Sequence, residues 1–398
     1  MTTFFQSATQ NVARELFDLY DSFKAVEITS CRITHADMLK WLRPFQERDP
    51  FTKLPLGTSG EGRIISLYSI GNGSTKVMLW SQMHGDEPTA TMALIDIFNF
   101  FTKHPEHVLT KAIREKFTLL VIPMLNPDGA ERFTRRTAQL IDINRDALAL
   151  ETPEARILKE TCNKYQPEYG FNLHDQDARL TVGTTKKITA IALLAPPTDE
   201  SRTDNLVRLK AKKVASTFAQ ILNLFIPGHL AKWDEMFEPR AFGDNIQKWG
   251  TSTVLVESGG WKGDPNKFYI RKLNCIALLT TLHAIATGES AQADTAVYEQ
   301  IPLNMKLGCD YIIRNAVLQS NNQTFPIYVD IGINFETRRS DSTDSLEKIA
   351  TIAEIGDLST FTALEEDIDA RGAELNANLI KLDHSFSASE LPLLLKQI

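Results

Sequence analysis

The first part of the chain alternates short apolar runs with helical patterns. The run KVMLWSQM (76–83) is apolar on both faces, which is typical of a buried strand, whereas TATMALIDIFNFF (89–101) has the spacing of an amphipathic helix. Strands that alternate with helices predict an α/β layer structure, with helices on both faces of a largely parallel sheet. Further buried strands are predicted at FTLLVIPMLN (117–126), YGFNLH (169–174), AIALLAP (190–196) and STVLVE (252–257), and further helices at 154–164, 206–224 and 266–285.

The pattern changes after a small, polar segment at residues 288–302. Beyond it, YIIRNAVLQ, IYVDIGINFE and KIATIAEIGDL alternate apolar and polar residues, as half-buried strands do. We therefore predict three regions: an N-terminal helical or extended segment that packs on the main domain (1–60), the main domain (60–290) and a small β-rich domain (300–398).

Composition and charge narrow the function classes. The 398 residues carry a formal charge of -7, so an anionic partner such as nucleic acid or a membrane surface is not expected. Charges interrupt the apolar positions of residues 1–24, unlike a signal peptide, and no stretch is apolar for long enough to span a bilayer. The four cysteines are far apart, which predicts reduced, buried thiols and a cytoplasmic protein. The sequence does not indicate the oligomeric state.

The first polar cluster follows a predicted buried strand and reads His84-Gly85-Asp86-Glu87-Pro88. Zinc binds imidazole nitrogen and carboxylate oxygen, and a catalytic site leaves one position for water. His84 and Glu87 can face one ion if the chain turns between them, which Gly85 would permit. The alternative is that Asp86 or Glu87 only caps the next helix, with Pro88 as its first residue.

Two more polar side chains stand at predicted strand ends. His174 ends the strand YGFNL, and Glu257 ends the strand STVLV. In open α/β sheets, ligands bind beyond the carboxyl ends of the strands, so both side chains are candidates for the same site. His174 could complete a zinc site, and Glu257 could act as general base on a water at the metal. The alternatives are a hydrogen-bonded histidine and a solvated glutamate.

The segment NPDG (126–129) and the basic residues after it supply a further cluster. An arginine stabilises a developing oxyanion, and an Asn-Arg pair such as Asn144-Arg145 suits a substrate carboxylate. Asp142 could orient a ligand histidine through a hydrogen bond. The alternative for the arginines is a solvated surface face.

Taken in order, H-x-x-E, N-P-D-G, R-x(6)-D-x-N-R, a strand-end histidine and a strand-end glutamate resemble the zinc carboxypeptidase family related to pancreatic carboxypeptidase, in its compact bacterial and cytosolic branch. The resemblance covers about residues 60–290 and implies a mixed, mainly parallel sheet between helices and one zinc ion. The roles it implies are metal ligand for His84, Glu87 and His174, general base for Glu257, oxyanion arginine for Arg135 (with Arg136 as the weaker candidate), and carboxylate binding for Asn144 and Arg145.

The chain departs from the digestive enzymes of this family in three respects, one of which is a shorter interval from Glu87 to His174, as in the compact branch. The digestive enzymes carry an arginine in the first motif where this chain has Asp86, and a mobile tyrosine in the segment before the base, where DEMFEPRAFGDN has none. Arg240 in that segment could contact an acidic substrate group or lie on the surface. These departures concern side-chain preference. Separately, the C-terminal region weakly resembles the β-sandwich that flanks the barrel of amidohydrolases, a resemblance that implies no activity here.

Three functions are consistent with these motifs. The first is a carboxypeptidase, and the second is a related zinc amidase or deacylase acting on a cell-wall peptide or an N-acyl amino acid. The expected partner is accordingly a peptide or an acyl-amino acid. The third is a non-catalytic binding protein on the same fold. Because every predicted ligand and the base are present, the sequence favours an enzyme.

Overall fold

The computed structural model describes residues 8–46, 48–319, 325–339, 346–376 and 385–387. The chain forms two compact units. The first contains residues 1–176, 190–259 and 264–303, and the second contains residues 177–189, 260–263 and 304–398. The second unit therefore includes two short segments that interrupt the sequence of the first. The C-terminal residues 377–384 and 388–398, which we assigned to the small β-rich domain, lie outside the described residues.

The described part of the first unit is built on an eight-stranded sheet with the order β1-β2-β4-β3-β5-β9-β7-β8. Parallel pairs in its centre join β3 to both β4 and β5, and β5 to β9, while β1, β2 and β7 bring antiparallel pairs toward the edges. The strands are β1 (Phe51–Thr58), β2 (Ile64–Ile70), β3 (Thr75–Ser81), β4 (Phe117–Ile122), β5 (Tyr169–Asp175), β7 (Ile191–Leu194), β8 (Leu230–Lys232) and β9 (Ser252–Ser258).

The helices of the described residues all belong to the first unit. Buried apolar side chains of the sheet and of these helices form its core, which includes Met78, Trp80 and Leu158. No helix among the described residues has the length and apolarity that crossing a bilayer requires. The α-helices are α1 (Ala8–Phe23), α2 (His35–Leu42), α3 (Thr89–Lys103), α4 (Val108–Lys116), α5 (Pro127–Arg132), α6 (Pro153–Tyr165), α7 (Leu206–Leu222), α8 (Phe242–Lys248), α9 (Phe268–Ala286) and α10 (Ala296–Glu299).

A hydrogen bond from Tyr20 to a buried ion pair joins helix α1 to the rest of the first unit. Asp96 of α3 is fully buried and accepts hydrogen bonds from Arg271 Nε at 2.7 Å, from Tyr20 Oη at 2.6 Å and from the backbone N–H of Ala25 at 2.7 Å. A buried carboxylate with this many donors is well compensated for its loss of water. The pair therefore fixes the N-terminal helix to α3 and α9.

The second unit is a β structure with its own apolar core. Its main sheet has the order β14-β11-β12-β13-β16, and a separate two-stranded sheet pairs β6 with β10. One apolar cluster of this unit includes Ile313, Ile331 and Ile352, and a second, smaller one includes Ile312 and Leu358. The strands are β6 (Thr181–Val182), β10 (Asn304–Met305), β11 (Gly308–Gln319), β12 (Ile327–Arg339), β13 (Leu346–Gly356), β14 (Thr362–Asp369), β15 (Glu374–Asn376) and β16 (Ser385–Ser387).

The predicted fold class is confirmed: a mixed sheet lies between helices, and the C-terminal region is rich in strands. The six apolar runs named from the sequence coincide with β3, β4, β5, β7 and β9 and with helix α3. Strands β1, β2 and β8 were not predicted: β8 has only three residues, and most positions of β1 are half-exposed or exposed, so its apolar pattern is weak.

Candidate active site

The strand ends of the central sheet bring the predicted metal ligands to one place. Strands β3 and β5 are parallel neighbours, so the residues that follow β3 and those that end β5 leave the sheet at the same edge. His84 follows β3 by three residues, and His174 lies within the last two residues of β5. Glu87 follows in the same turn as His84, directly before helix α3. All three side chains are buried.

Glu87 lies between the two histidines. Its Oε1 is 2.7 Å from Nδ1 of His84, and its Oε2 is 2.7 Å from Nδ1 of His174. The three side chains each offer one ligand atom, and these atoms lie within 4.8 Å of one another. Nε2 of His174 is buried and has no hydrogen-bond partner among the described residues. Of the two imidazoles, only that of His84 therefore has a second carboxylate partner.

Asp142 and Arg135 support the cluster from one side. Asp142 Oδ1 lies 3.1 Å from Nε2 of His84, and its Oδ2 accepts a hydrogen bond from Nε of Arg135 at 3.0 Å. Arg135 Nη1 then lies 3.1 Å from Nδ1 of His84 and 3.3 Å from Oε1 of Glu87. The Asp142 carboxylate thus orients the imidazole, and the half-exposed guanidinium of Arg135 contacts both Asp142 and Glu87.

The protonation of these groups follows from their mutual charges. Burial alone would lower the pKa of His84, but the carboxylates of Glu87 and Asp142 outweigh it and raise that pKa to about 9. Burial would raise the pKa of Glu87, and the two histidines hold it well below its usual range instead. Burial is the larger effect at His174 and lowers its pKa. A divalent cation would displace the protons, since imidazole binds metals in its neutral form.

Glu257 completes this edge of the sheet. It is the register partner of His174 across strands β5 and β9, so the two side chains leave the sheet on the same face. Burial raises the pKa of Glu257 well above its usual value, and the negative charge of Glu87 adds to the shift. A raised pKa makes the carboxylate a stronger base once it is ionised, so it can accept a proton from a nucleophile and later return it.

Two glycines allow the loops of the site to touch. A Cβ atom on Gly85 would lie 2.0 Å from the carbonyl carbon of Gly129, so only glycine fits there. The sequence suggested that Gly85 is needed for a turn, but its φ angle is not positive. Glycine is required here because of the close approach to Gly129. The capping alternative for Asp86 and Glu87 is wrong: the N-cap of α3 is Pro88, and no side chain caps this helix.

Asn126 links the NPDG turn to the site. Its side-chain oxygen accepts the backbone N–H of Gly129 at 2.9 Å and so caps helix α5. Its amide nitrogen donates to the carbonyl oxygen of Arg135 at 3.3 Å. The turn therefore fixes the backbone of the arginine whose guanidinium contacts His84.

Asn144 and Arg145 lie in a short 3-10 helix after Asp142. The side-chain oxygen of Asn144 accepts the backbone N–H of Phe242 at 2.9 Å, which joins this helix to the start of α8. Arg145 is half-exposed, and its Nε lies 3.4 Å from the carboxylate of Glu238. These side chains are thus close to the segment before α8, with no direct contact to the histidines among the described residues.

The structure does not bring Arg136 and Arg240 to the histidine cluster. Arg136 is exposed, and its Nη1 donates to the carbonyl oxygen of Leu140 at 3.0 Å, so it stabilises its own turn. Arg240 is also exposed and forms a two-point contact with Glu238 through Nε and Nη2, at 3.0 and 2.9 Å.

The sequence did not reveal the buried carboxylate of Asp175 and its partner Lys267, which lie next to the site. Asp175 donates its backbone N–H to Glu87 Oε2 at 3.2 Å. Its own carboxylate accepts hydrogen bonds from Thr89 Oγ1 at 2.5 Å and from Lys267 Nζ at 3.1 Å. The available signal was the charged residue directly after His174, since a buried carboxylate at a strand end requires a partner.

The residues fit a zinc ion. Two imidazoles and one carboxylate are the donor set of many catalytic zinc sites, and here they are buried and within reach of one another. The carboxylate of Asp142 on the far nitrogen of His84 leaves Nδ1 as the ligating atom, which is the arrangement that metal-binding histidines adopt. The geometry therefore supports one metal ion held by His84, Glu87 and His174.

Residues 38–176 match the zinc carboxypeptidase family. Among curated proteins, the chain is 28% identical over 170 residues to a probable carboxypeptidase 2 of Arthroderma benhamiae, an alignment that covers 42% of this chain and 31% of that protein. It is also 28% identical over 164 residues to carboxypeptidase 2 of Trichophyton rubrum, covering 40% of this chain and 30% of that protein. The chain thus spans about a third of the length of these relatives.

Solved structures share the fold of about two thirds of the chain. A metallo-carboxypeptidase from Burkholderia cenocepacia superposes with a TM-score of 0.52 at 15% identity, covering 64% of this chain and 70% of that one. Bovine thrombin-activatable fibrinolysis inhibitor superposes with a TM-score of 0.52 at 12% identity, covering 65% of this chain and 98% of that one. Residues 38–176 thus match the family model of the zinc carboxypeptidases, and the chain shares its fold with solved metallo-carboxypeptidase structures.

Proposed function

We propose that this protein is a zinc-dependent metallocarboxypeptidase that hydrolyses the C-terminal peptide bond of its substrates. The observation that carries the proposal is the convergence of His84, Glu87 and His174, with Glu257 next to His174 in the register of the sheet. The carboxypeptidase relatives and the fold support the same reaction class. The four free cysteines, three of them buried, support the proposed cytoplasmic location.

His84, Glu87 and His174 would hold one zinc ion, with Asp142 fixing the orientation of His84. When bound, zinc supplies a Lewis acid that polarises the substrate carbonyl and makes a water molecule more acidic. Glu257 takes the proton of the attacking water and delivers it to the leaving amine, which its raised pKa favours. Arg135 directs its guanidinium at the same cluster and would stabilise the negative charge that develops on the carbonyl oxygen.

Asn144 and Arg145 would bind the C-terminal carboxylate of the substrate. Because the side-chain oxygen of Asn144 accepts the N–H of Phe242, its amide nitrogen is the atom left to donate. The contact of Arg145 with the carboxylate of Glu238 indicates that its guanidinium can be reached by an acidic group. An amide donor beside a guanidinium recognises a carboxylate through directed hydrogen bonds.

The test is metal analysis of the purified protein followed by a hydrolysis screen with and without a chelator. Blocked dipeptides with a free C-terminal carboxylate are compared with the same dipeptides as C-terminal amides. We expect one zinc ion per chain and turnover of the free acids that a chelator abolishes. Equal turnover of acids and amides would contradict exopeptidase action and would instead indicate the amidase alternative.

A further inference from the structure

The carboxylate-binding arginine of the proposed site is in contact with a carboxylate of the protein itself. Glu238 lies in the segment between β8 and α8, and its Oε2 is 3.4 Å from Nε of Arg145. The same carboxylate accepts hydrogen bonds from Nε and Nη2 of Arg240 and from the backbone N–H of Arg240, at 2.9 to 3.1 Å. Two arginines therefore share one carboxylate, and Arg145 makes the longer contact.

The backbone fixes these partners close together. The N–H of Phe242 donates to the side chain of Asn144, and the N–H of Ala147 donates to the carbonyl oxygen of Arg240 at 3.1 Å. These two bonds hold the segment around Arg145 against the segment around Glu238. The contact between Arg145 and Glu238 is thus a built feature of the first unit.

The segment that carries Glu238 is also anchored at its other end. Glu235 accepts hydrogen bonds from the buried Arg208 at 3.1 Å and from the hydroxyl of Tyr298 at 3.1 Å. At Glu238 itself, the backbone N–H donates to the buried side chain of Asp244 at 3.2 Å. These contacts hold the backbone on both sides of the Glu238 side chain, so its release from Arg145 requires only a change of side-chain rotamer.

We propose that Glu238 competes with the substrate carboxylate for Arg145, and that Arg240 holds Glu238 aside when a substrate binds. This inference rests on the proposed function, because it assumes that Arg145 binds the substrate carboxylate. Glu238 can leave Arg145 at low cost, since it keeps the three shorter hydrogen bonds to Arg240. Glu238 is then a residue that sets the affinity for a C-terminal carboxylate, and it does not touch the reacting atoms.

The experiment measures binding as well as hydrolysis. Calorimetry with N-acetyl-L-alanine and N-acetyl-L-alaninamide is performed on the zinc-loaded chain and on Glu238→Gln, Arg240→Gln and the double variant. Glu238→Gln removes the competing charge, so it should tighten binding of the acid about two- to fivefold, the range of an exposed ion pair. Arg240→Gln should weaken binding of the acid, because Glu238 then loses both guanidinium bonds to residue 240 and is held more strongly by Arg145. Binding of the amide should not change.

The double variant distinguishes competition from direct contact. If Arg240 acts only through Glu238, then Arg240→Gln has no further effect once Glu238 is neutral, and the double variant binds like Glu238→Gln. Glu61→Gln is the matched control, because Glu61 is likewise a carboxylate shared by two arginines, Arg63 and Arg132, and its loss changes the net charge equally. Its binding of the acid should equal that of the unaltered chain.

Three results would overturn the proposal. The first is that Glu238→Gln binds the acid no more tightly than the unaltered chain, and the second is that it binds acid and amide equally. The third is that the double variant loses as much affinity for the acid as Arg240→Gln does. The proposed function has a separate readout, which is hydrolysis. A chain that binds the acid as expected but hydrolyses no peptide would contradict the proposed function and leave the role of Glu238 intact. Thermal melting of each variant, compared with Glu61→Gln, excludes an unfolded protein as the cause.

Discussion

His174 and Glu257 are paired residue to residue across the parallel strands β5 and β9. Neighbouring strands lie about 4.8 Å apart, so the separation of a metal ligand and the proposed base is set by the sheet and not by a loop. The ladder of backbone hydrogen bonds continues on both sides of this pair, from Tyr169 and Ser252 to Asp175 and Ser258. A change at either position should therefore alter the chemistry and leave the backbone in place.

We expect Glu257→Gln to keep its zinc and to lose most of its activity. Glutamine has nearly the same shape but cannot accept a proton, and loss of a general base reduces turnover by about 10² to 10⁴-fold. Hydrolysis rates and zinc content are measured on the same preparation. Unchanged turnover would remove Glu257 from the mechanism, whereas loss of zinc would show that it helps to hold the metal.

For His174→Ala we expect a loss of bound zinc. The substitution removes one of the three ligands and leaves Glu87 with a single histidine partner. Zinc content after dialysis is the measurement. His283→Ala is the matched control, since His283 is also a buried histidine of the first unit and is not part of the cluster. Full zinc occupancy in His174→Ala would exclude it from the ligand set.

Substitution of Asp142 by alanine should weaken zinc binding by about 10- to 100-fold without abolishing it. The carboxylate contacts the far nitrogen of His84 and also Nε of Arg135, and partners of this kind tune metal affinity by such factors. Competition with a zinc-binding dye gives the affinity. An affinity equal to that of Asp199→Ala, which removes the same charge at an exposed position, would contradict this role.

Asp244 should make the protein less stable as the pH rises from about 4 to 7. Burial raises the pKa of Asp244 to about 7, so the folded chain retains a proton that the unfolded chain releases near its ordinary pKa of about 4. The free energy of unfolding falls with rising pH wherever the folded state binds more protons than the unfolded state. It levels off above the pKa of Asp244 in the folded chain. Asp244→Asn should therefore gain stability relative to the unaltered chain at pH 8 but not at pH 4.

The gain for Asp244→Asn at pH 8 should be on the order of 2 to 4 kcal/mol, because one pKa unit corresponds to about 1.4 kcal/mol. Urea unfolding at both pH values measures it. Asp234→Asn is the control, since Asp234 is an exposed carboxylate of the same segment that also accepts one backbone N–H. If Asp244→Asn gained the same stability at pH 4 and pH 8, titration of Asp244 would not be the cause of the gain.

Loss of the Asp96 carboxylate should cost about 3 to 5 kcal/mol of folding free energy, because Asp96→Ala leaves the buried Arg271 without its partner. Urea unfolding gives the value. Asp21→Ala, which removes the exposed partner of Lys24, should cost less than about 1 kcal/mol. Similar losses of unfolding free energy in the two variants would show that the buried pair of Asp96 and Arg271 does not stabilise the fold.

The sequence was sufficient to place His174 and Glu257 at one edge of a sheet, because each ends an apolar run and parallel strands present their carboxyl ends together. It was not sufficient for Arg145 and Glu238, whose contact spans 93 positions and depends on how two irregular segments pack. The role of Gly85 was also hidden, since it follows from a backbone approach to Gly129 that no local pattern records.

The sequence predicted a separate C-terminal β-rich region but not the two short segments that belong to the same unit. Residues 177–189 and 260–263 are too short to show any period, so nothing marks them as belonging with the C-terminal strands. The alternation of residues 308–319 and 327–339, by contrast, was readable as strands because one face is buried in the core of the second unit.

Because segments of the two units alternate along the chain, truncation at one position cannot separate the units. No single stop codon separates them, because shortening the chain at residue 303 would delete β10 and leave β6 without the strand that it pairs with. The first short segment of the second unit, residues 177–189, begins three residues after His174. The second, residues 260–263, begins three residues after Glu257. A minimal fragment would therefore need both segments rebuilt as short turns before the truncated protein could be compared with the whole.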